Sequence, residues 1–233
     1  MRRKGNKDFK FDFSSLDFDF DFGESEEIQK IPKLNTKPVL FENALKMAHD
    51  LDWGSDYIAF VGGSFIFGDF LEALCLEKQL KPKEIYITTL GMSKNNVDSI
   101  VNLVDYLGAK KVNLIVSHYF SGVERHNIIP YMEQEFAGRP INVGVLQAHC
   151  KIIIIRSDKG DAVICGSSNL SSSNNVEQFI IMHSAEAIDF VQSKLDNIME
   201  RFTVIDGMNA PKIDWNKNKG NTGKKAFEKL KGV

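Results

Sequence analysis

Cysteine is scarce in this chain. Cys75, Cys150 and Cys165 are too few and too unevenly spaced among 233 residues to form a disulfide framework. No CxxC pair occurs, so nothing indicates a structural zinc site. Long apolar runs are missing as well: stretches such as Ile152 to Ile155 are far too short to cross a membrane. The Met-Arg-Arg-Lys start has no apolar segment behind it and does not read as a secretory signal. The expected setting is a reducing, cytoplasmic one without membrane attachment. No Gly-Lys-Ser/Thr follows Gly62-Gly63-Ser64, which excludes a Walker loop there. A dominant charge sign is also lacking, since the formal net charge is -2. The composition, with 43% hydrophobic and 26% charged residues, suits one globular core.

That near-neutral total hides a polarity along the chain. Residues 1–30 carry six basic and eight acidic side chains, whereas residues 208–233 carry seven Lys against two acids. We divide the chain into an arm at 1–37, a body at 38–206 and a basic tail at 207–233. In the arm, Phe9, Phe11, Phe13, Phe18, Phe20 and Phe22 are interleaved with Asp and Lys. Such alternation suits a segment that docks on a protein partner, or an edge strand packed on the body or on a second subunit. The Lys-rich tail can neutralise a polyanion, or it can be a solvated tail. The acidic body argues against tight non-specific binding of DNA by the body itself.

Within the body the pattern is regular. Helices are expected over Phe41–Leu51, Asp69–Glu77, Asn96–Leu107, Glu124–Phe136 (kinked or broken at Pro130) and Ala185–Phe202. Strands are expected over Tyr57–Val61, Glu84–Thr89, Lys111–Ser117 and Ile141–Leu146. Three further strand-like runs, His149–Arg156, Asp161–Cys165 and Val176–His183, follow without an intervening helix, the first two joined by a turn at Ser157–Gly160. Alternating strands and helices followed by hairpins imply an α/β fold: a mixed, mostly parallel sheet with helices on both faces.

Strand parity gathers the candidate site. His149 and Lys151 are two apart and project together, while Cys150, Ile152 and Ile154 take the other face. Cys150 and Cys165 read as small buried residues on paired strands. Gly166 permits a close approach of backbone or ligand, Ser167 and Asn169 share a face, and Glu177 aligns with Phe179 and Ile181. An imidazole, an ammonium, a hydroxyl, an amide and a carboxylate at adjacent strand ends suit phosphoryl chemistry. Lys and Asn can hold the non-bridging oxygens, and His can be nucleophile or acid. His118 and His126 read as strand-end or surface residues, and His183 as structural.

His149-x-Lys151, then Gly166-Ser167-x-Asn169, then Asn175-x-Glu177 resembles the HxK…GSxN half-site of the phospholipase D superfamily, and the preceding βα units are similar to its fold over the whole body. The resemblance implies that His149 is nucleophile or acid and that Lys151 and Asn169 are phosphate ligands. It implies that Ser167 supports them, with Gly166 and Ser168 beside the substrate, and that Glu177 orients the imidazole. It implies no metal or other cofactor. The family site uses two HxK motifs, and this chain has one. It therefore resembles single-motif nuclease-like members, which implies a homodimer with one composite site. The family pattern continues as HxKxxxxD, and Arg156 stands at the Asp position. The function implied is a metal-independent phosphodiesterase, a nuclease using a covalent phosphohistidine. A single half-site, no lipid-anchoring helix and the basic tail favour nucleic acid over lipid. The alternative is a non-catalytic relative that binds nucleic acid or acts as a scaffold.

Overall fold

The computed structural model describes residues 37–41, 44–62, 65–171 and 175–209. The Phe/Asp-rich arm up to residue 36 and the tail beyond residue 209 lie outside them. The chain enters on β1 (Lys37–Phe41), α1 (Ala44–Asp50), β2 (Tyr57–Val61) and α2 (Phe67–Glu77). It continues through β3 (Pro82–Thr89), α3 (Lys94–Asp105), β4 (Val112–Ser117), α4 (His118–Val123), α5 (Ile128–Phe136) and β5 (Ile141–Leu146). Then come β6 (Ile152–Ser157), β7 (Ala162–Gly166), β8 (Glu177–Met182), α6 (Ala185–Phe202) and β9 (Thr203–Asp206).

Among the described residues the strands form one nine-stranded sheet, ordered β1-β2-β8-β7-β6-β3-β4-β5-β9. β1 to β5 and β7 run one way, and β6, β8 and β9 run against them. This is the expected mixed α/β sheet. Most strands share a direction, yet the hairpin run β6-β7-β8 sits between β2 and β3 and makes the ladders there antiparallel.

Period-two alternation explains why helices cover both faces. Ile85, Ile87, Leu114, Val116, Ile153, Ile155 and Ile164 point to one face, where α1, α2, α3 and α5 bury them. Tyr86, Ile115, Ile154 and Val163 point to the other, under the apolar stripe Ile188, Leu195, Ile198, Met199 and Phe202 of α6. Each such Ile contributes about 1.5–3 kcal/mol by leaving water, so the central strands are locked into register. Caps set the helix starts: the Ser93 hydroxyl accepts from Asn96 N–H in a capping box, Ser117 caps α4, and Ser184 caps α6. Gly160, at φ +111°, closes the β6–β7 hairpin at the expected place.

Four local expectations change. β1 and β9 were not anticipated; they are short edge strands with little pattern of their own. Pro130 does not kink a helix, because α5 begins at Ile128 and Pro130 lies in its first turn, where a missing N–H costs nothing. A separate short helix, α4, precedes it. Finally, β6 starts at Ile152, so His149 to Lys151 precede the strand, and Cys150 is exposed rather than buried. The reason is local: Ile152 N–H is taken by the Thr88 hydroxyl at 2.8 Å, which ends the ladder to β3.

Candidate phosphate site

The site lies where β2, β3, β4, β5 and β7 end and β6 and β8 begin, the carboxyl edge of the parallel strands. Open α/β sheets bind ligands at that edge. Two threonines that sequence reasoning passed over hold it together. Thr88 receives Ile152 N–H at the base of the His149–Lys151 segment. Thr89 receives Leu170 N–H at 3.3 Å and so anchors the chain just past Asn169. Adjacent hydroxyls at a strand's carboxyl end were the available signal, with side chains alternating toward the two motif halves.

Gly166 brings those halves together. Its N–H donates to the Lys151 carbonyl at 3.1 Å. A Cβ on residue 166 would lie 2.3 Å from the Gln178 carbonyl oxygen and 2.5 Å from Phe179 Cβ. Only glycine lets β7 press this closely on β8.

His149 is exposed and Lys151 half-buried. Lys151 Nζ lies 3.0 Å from His149 Nδ1 and 3.4 Å from the His149 carbonyl oxygen. Nε2 of the same ring is 3.5 Å away; an ammonium can only donate, so the imidazole is the acceptor in this contact, with Nδ1 the nearer nitrogen. Burial pulls the Lys151 pKa below its ordinary value, and the nearby Glu177 carboxylate opposes that shift. The pair is thus a cation close to an imidazole and a carboxylate, partly withdrawn from water.

Glu177 accepts a short hydrogen bond from Ser167 and faces Lys151 electrostatically; its hydrogen-bond partner is Ser167, not His149. Ser167 also receives Gln178 N–H at 3.1 Å, so the loop and β8 are clamped. Asn169 Oδ1 accepts from Leu90 N–H at 3.2 Å, which leaves its amino group as the donor end. Ser168 is buried, with its Oγ unpartnered. The structure therefore brings together all seven residues singled out from the sequence: His149, Lys151, Gly166, Ser167, Ser168, Asn169 and Glu177. His118 opens α4 at the same edge, with a buried Nε2 that has no partner. Among the described residues no group of three or more His, Cys, Asp or Glu side chains converges as a metal site requires.

Arg156 lies at the other end of β6, five residues of extended chain and so roughly 17 Å from Lys151. It pairs with Asp161 at 2.8 Å and donates to Asp189 at 2.5 Å on α6, and to Gln192 at 2.6 Å. His183 is structural: its Nδ1 donates to the Asp161 carbonyl at 2.7 Å, its Nε2 accepts Gly54 N–H at 3.3 Å, and Trp53 packs edge-on against it.

No family model matches the chain, and no curated protein matches it. Solved structures do. A polyphosphate kinase from Porphyromonas gingivalis aligns over 72% of this chain at 16% identity and a TM-score of 0.48, with 30% of the kinase covered. A phosphatidylserine synthase from Haemophilus influenzae aligns over 64% at 17% identity and a TM-score of 0.45, with 39% of that protein covered. The chain thus spans well under half the length of either. NucT from Helicobacter pylori is covered over 99% of its length by 64% of this chain, at 19% identity and a TM-score of 0.42.

Proposed function

We propose that this protein is a metal-independent phosphodiesterase of the phospholipase D type, acting on nucleic acid as a nuclease through a half-site completed by a second copy of the chain. The observation that carries the reading is the contact of Lys151 with His149, beside a carboxylate and an Asn169 amide held by its oxygen. Lys151 and Asn169 can hold the non-bridging oxygens of a phosphodiester, where negative charge gathers in the transition state. A phosphate competes for Lys151. Once the ammonium turns to oxygen, His149 Nδ1 is released to carry the ring proton and Nε2 can attack phosphorus.

In that scheme His149 Nε2 of one copy forms the phosphorus–nitrogen bond as the phosphorus–oxygen bond to the leaving group breaks. The leaving oxygen takes a proton from the imidazole of the second copy. Water then attacks the phosphohistidine with proton transfer in the reverse sense. Glu177, through Ser167 and its charge near Lys151, fixes the positions of the phosphate ligands. The Lys-rich tail supplies charge that neutralises further phosphates.

The non-catalytic alternative was motivated by Arg156. Its side chain lies far from Lys151 and its charge is matched by Asp161 and Asp189, which supports the catalytic reading. The test is cleavage of DNA and RNA oligonucleotides in excess EDTA. Wild type cleaves, His149→Ala does not, and mixed dimers of the two fall in activity faster than the fraction of variant added. Cleavage that needs a divalent ion, or that survives His149→Ala, overturns the proposal.

A further inference from the structure

Beside the phosphate site is a cleft that the mechanism does not use. It measures roughly 220 Å³ to its open mouth, with room inside for about one water-sized group. Ser168, Asn169, Ser171 and Glu177 line it together with Phe65 and Phe67. Asn169 and Glu177 belong to both the cleft and the phosphate site, so an occupant of one lies next to an occupant of the other. Ser168 is 7% exposed, and its Oγ is buried without a hydrogen-bond partner. A buried hydroxyl in that state is destabilising, and a ligand group that accepts its proton gains by relieving it.

The lining selects the ligand. A second phosphate or a carboxylate would meet the Glu177 charge. An ammonium could not accept from Ser168. A neutral hydroxyl does both tasks: it accepts from Ser168 Oγ–H and donates to the Glu177 carboxylate. It also has the size of the space. A ribonucleotide carries such a hydroxyl one carbon away from the oxygen that bears its 3′-phosphate.

We propose that this cleft is a sugar-hydroxyl subsite, which takes the 2′-hydroxyl of the nucleotide whose phosphate sits at Lys151 and so makes the protein prefer RNA to DNA. The inference rests on the phosphodiester reading of His149 and Lys151. Deoxyribose leaves the Ser168 hydroxyl unserved or keeps a trapped water in place of the substrate contact.

The test uses the full chain with single-stranded RNA, DNA and fully 2′-O-methylated RNA of one sequence. Cleavage is followed with wild type, and binding by fluorescence polarisation with His149→Ala. RNA is favoured over both other oligonucleotides by about tenfold. Ser168→Ala, and the same change in the His149→Ala background, brings the RNA-to-DNA ratio close to one. The 2′-O-methyl probe needs no substitution in the protein, so the subsite is tested even if Ser168→Ala does not fold. Equal use of RNA and DNA by wild type, or equal loss on both in Ser168→Ala, overturns the subsite and assigns the cleft to an adventitious water only. Preferential RNA binding lost in Ser168→Ala, without any cleavage, upholds the subsite and sinks the nuclease reading instead.

Discussion

The two ends of the sheet are built to opposite rules. At the end that carries Glu84 and Arg156, both of these charges are matched by a counter-charge and by neutral hydrogen-bond partners. Glu84 accepts from Tyr86 at 3.0 Å, Asn113 at 2.9 Å and Gln192 at 3.3 Å, and pairs with Lys111 at 2.8 Å. Arg156 is matched by Asp161, Asp189 and Gln192. At the end that carries His149, Ser168 Oγ and His118 Nε2 are buried without partners among the described residues, and Lys151 meets an imidazole and a carbonyl oxygen there. Buried polar groups in folded proteins are nearly all satisfied. An end with buried polar atoms still able to bond can receive the polar atoms of a ligand, while the ion pairs and hydrogen bonds of the other end tie β3, β4 and β6 to one another and to α6.

Substitutions at the two ends therefore part company. The largest effect is expected at His149. His149→Ala lowers the phosphodiesterase rate by roughly 10³-fold or more and leaves the urea midpoint unchanged, because the ring is exposed. A comparable loss of midpoint would merge the two ends into one structural unit. Next comes Gly166→Val, whose branches would enter the Gln178 carbonyl and Phe179. It costs about 3 kcal/mol or more, read by urea unfolding, and lowers activity only through the loss of folded protein and of loop position.

Arg156→Asp sets a third carboxylate beside Asp161 and Asp189. It lowers stability by about 2 kcal/mol, while the rate per folded molecule stays within a few-fold of wild type. A collapse of rate in the folded variant would show that the far end reaches the site. The smallest effect concerns pH. Burial holds the His183 imidazole below its ordinary value of 6.5, against the opposing pull of Asp161 and Asp56. Because the folded pKa is the lower one, the unfolded chain binds the proton first as pH falls. The stability from neutral His183 is complete above 6.5, declines as pH drops from there to the depressed value, and is flat below. His183→Gln flattens that part of the curve of thermal midpoint against pH; an unchanged slope would assign the pH dependence to other groups.

The sequence announced the site better than its setting. An apolar run closed by Gly62-Gly63 placed β2 to the residue, β5 was placed as closely, and the one-sided apolar stripe from Ile188 to Phe202 placed α6 in full. β1 and β9 escaped because edge strands of four or five residues carry too few periods. The motif halves were legible as residue types at fixed spacing. Their joining by Thr88, Thr89 and the Gly166–Phe179 contact was not, since those are long-range contacts with no local signature. Parity correctly paired His149 with Lys151, although neither lies in a strand; the carbonyl of Lys151 still joins β7 through Gly166 and so keeps the register. The orphan hydroxyl of Ser168 was invisible, because a hydroxyl's partner is set by what packs around it.

The most direct test of a working half-site at His149 is to trap its intermediate. Wild type and His149→Ala are mixed with a labelled oligonucleotide in EDTA, quenched in alkali to preserve phosphoramidates, and mapped by peptide mass spectrometry. A nucleotide or phosphate adduct on His149 in wild type, absent from the variant, is the result expected. EDTA-resistant cleavage with no adduct at His149, or an adduct on another residue that persists in His149→Ala, would contradict it.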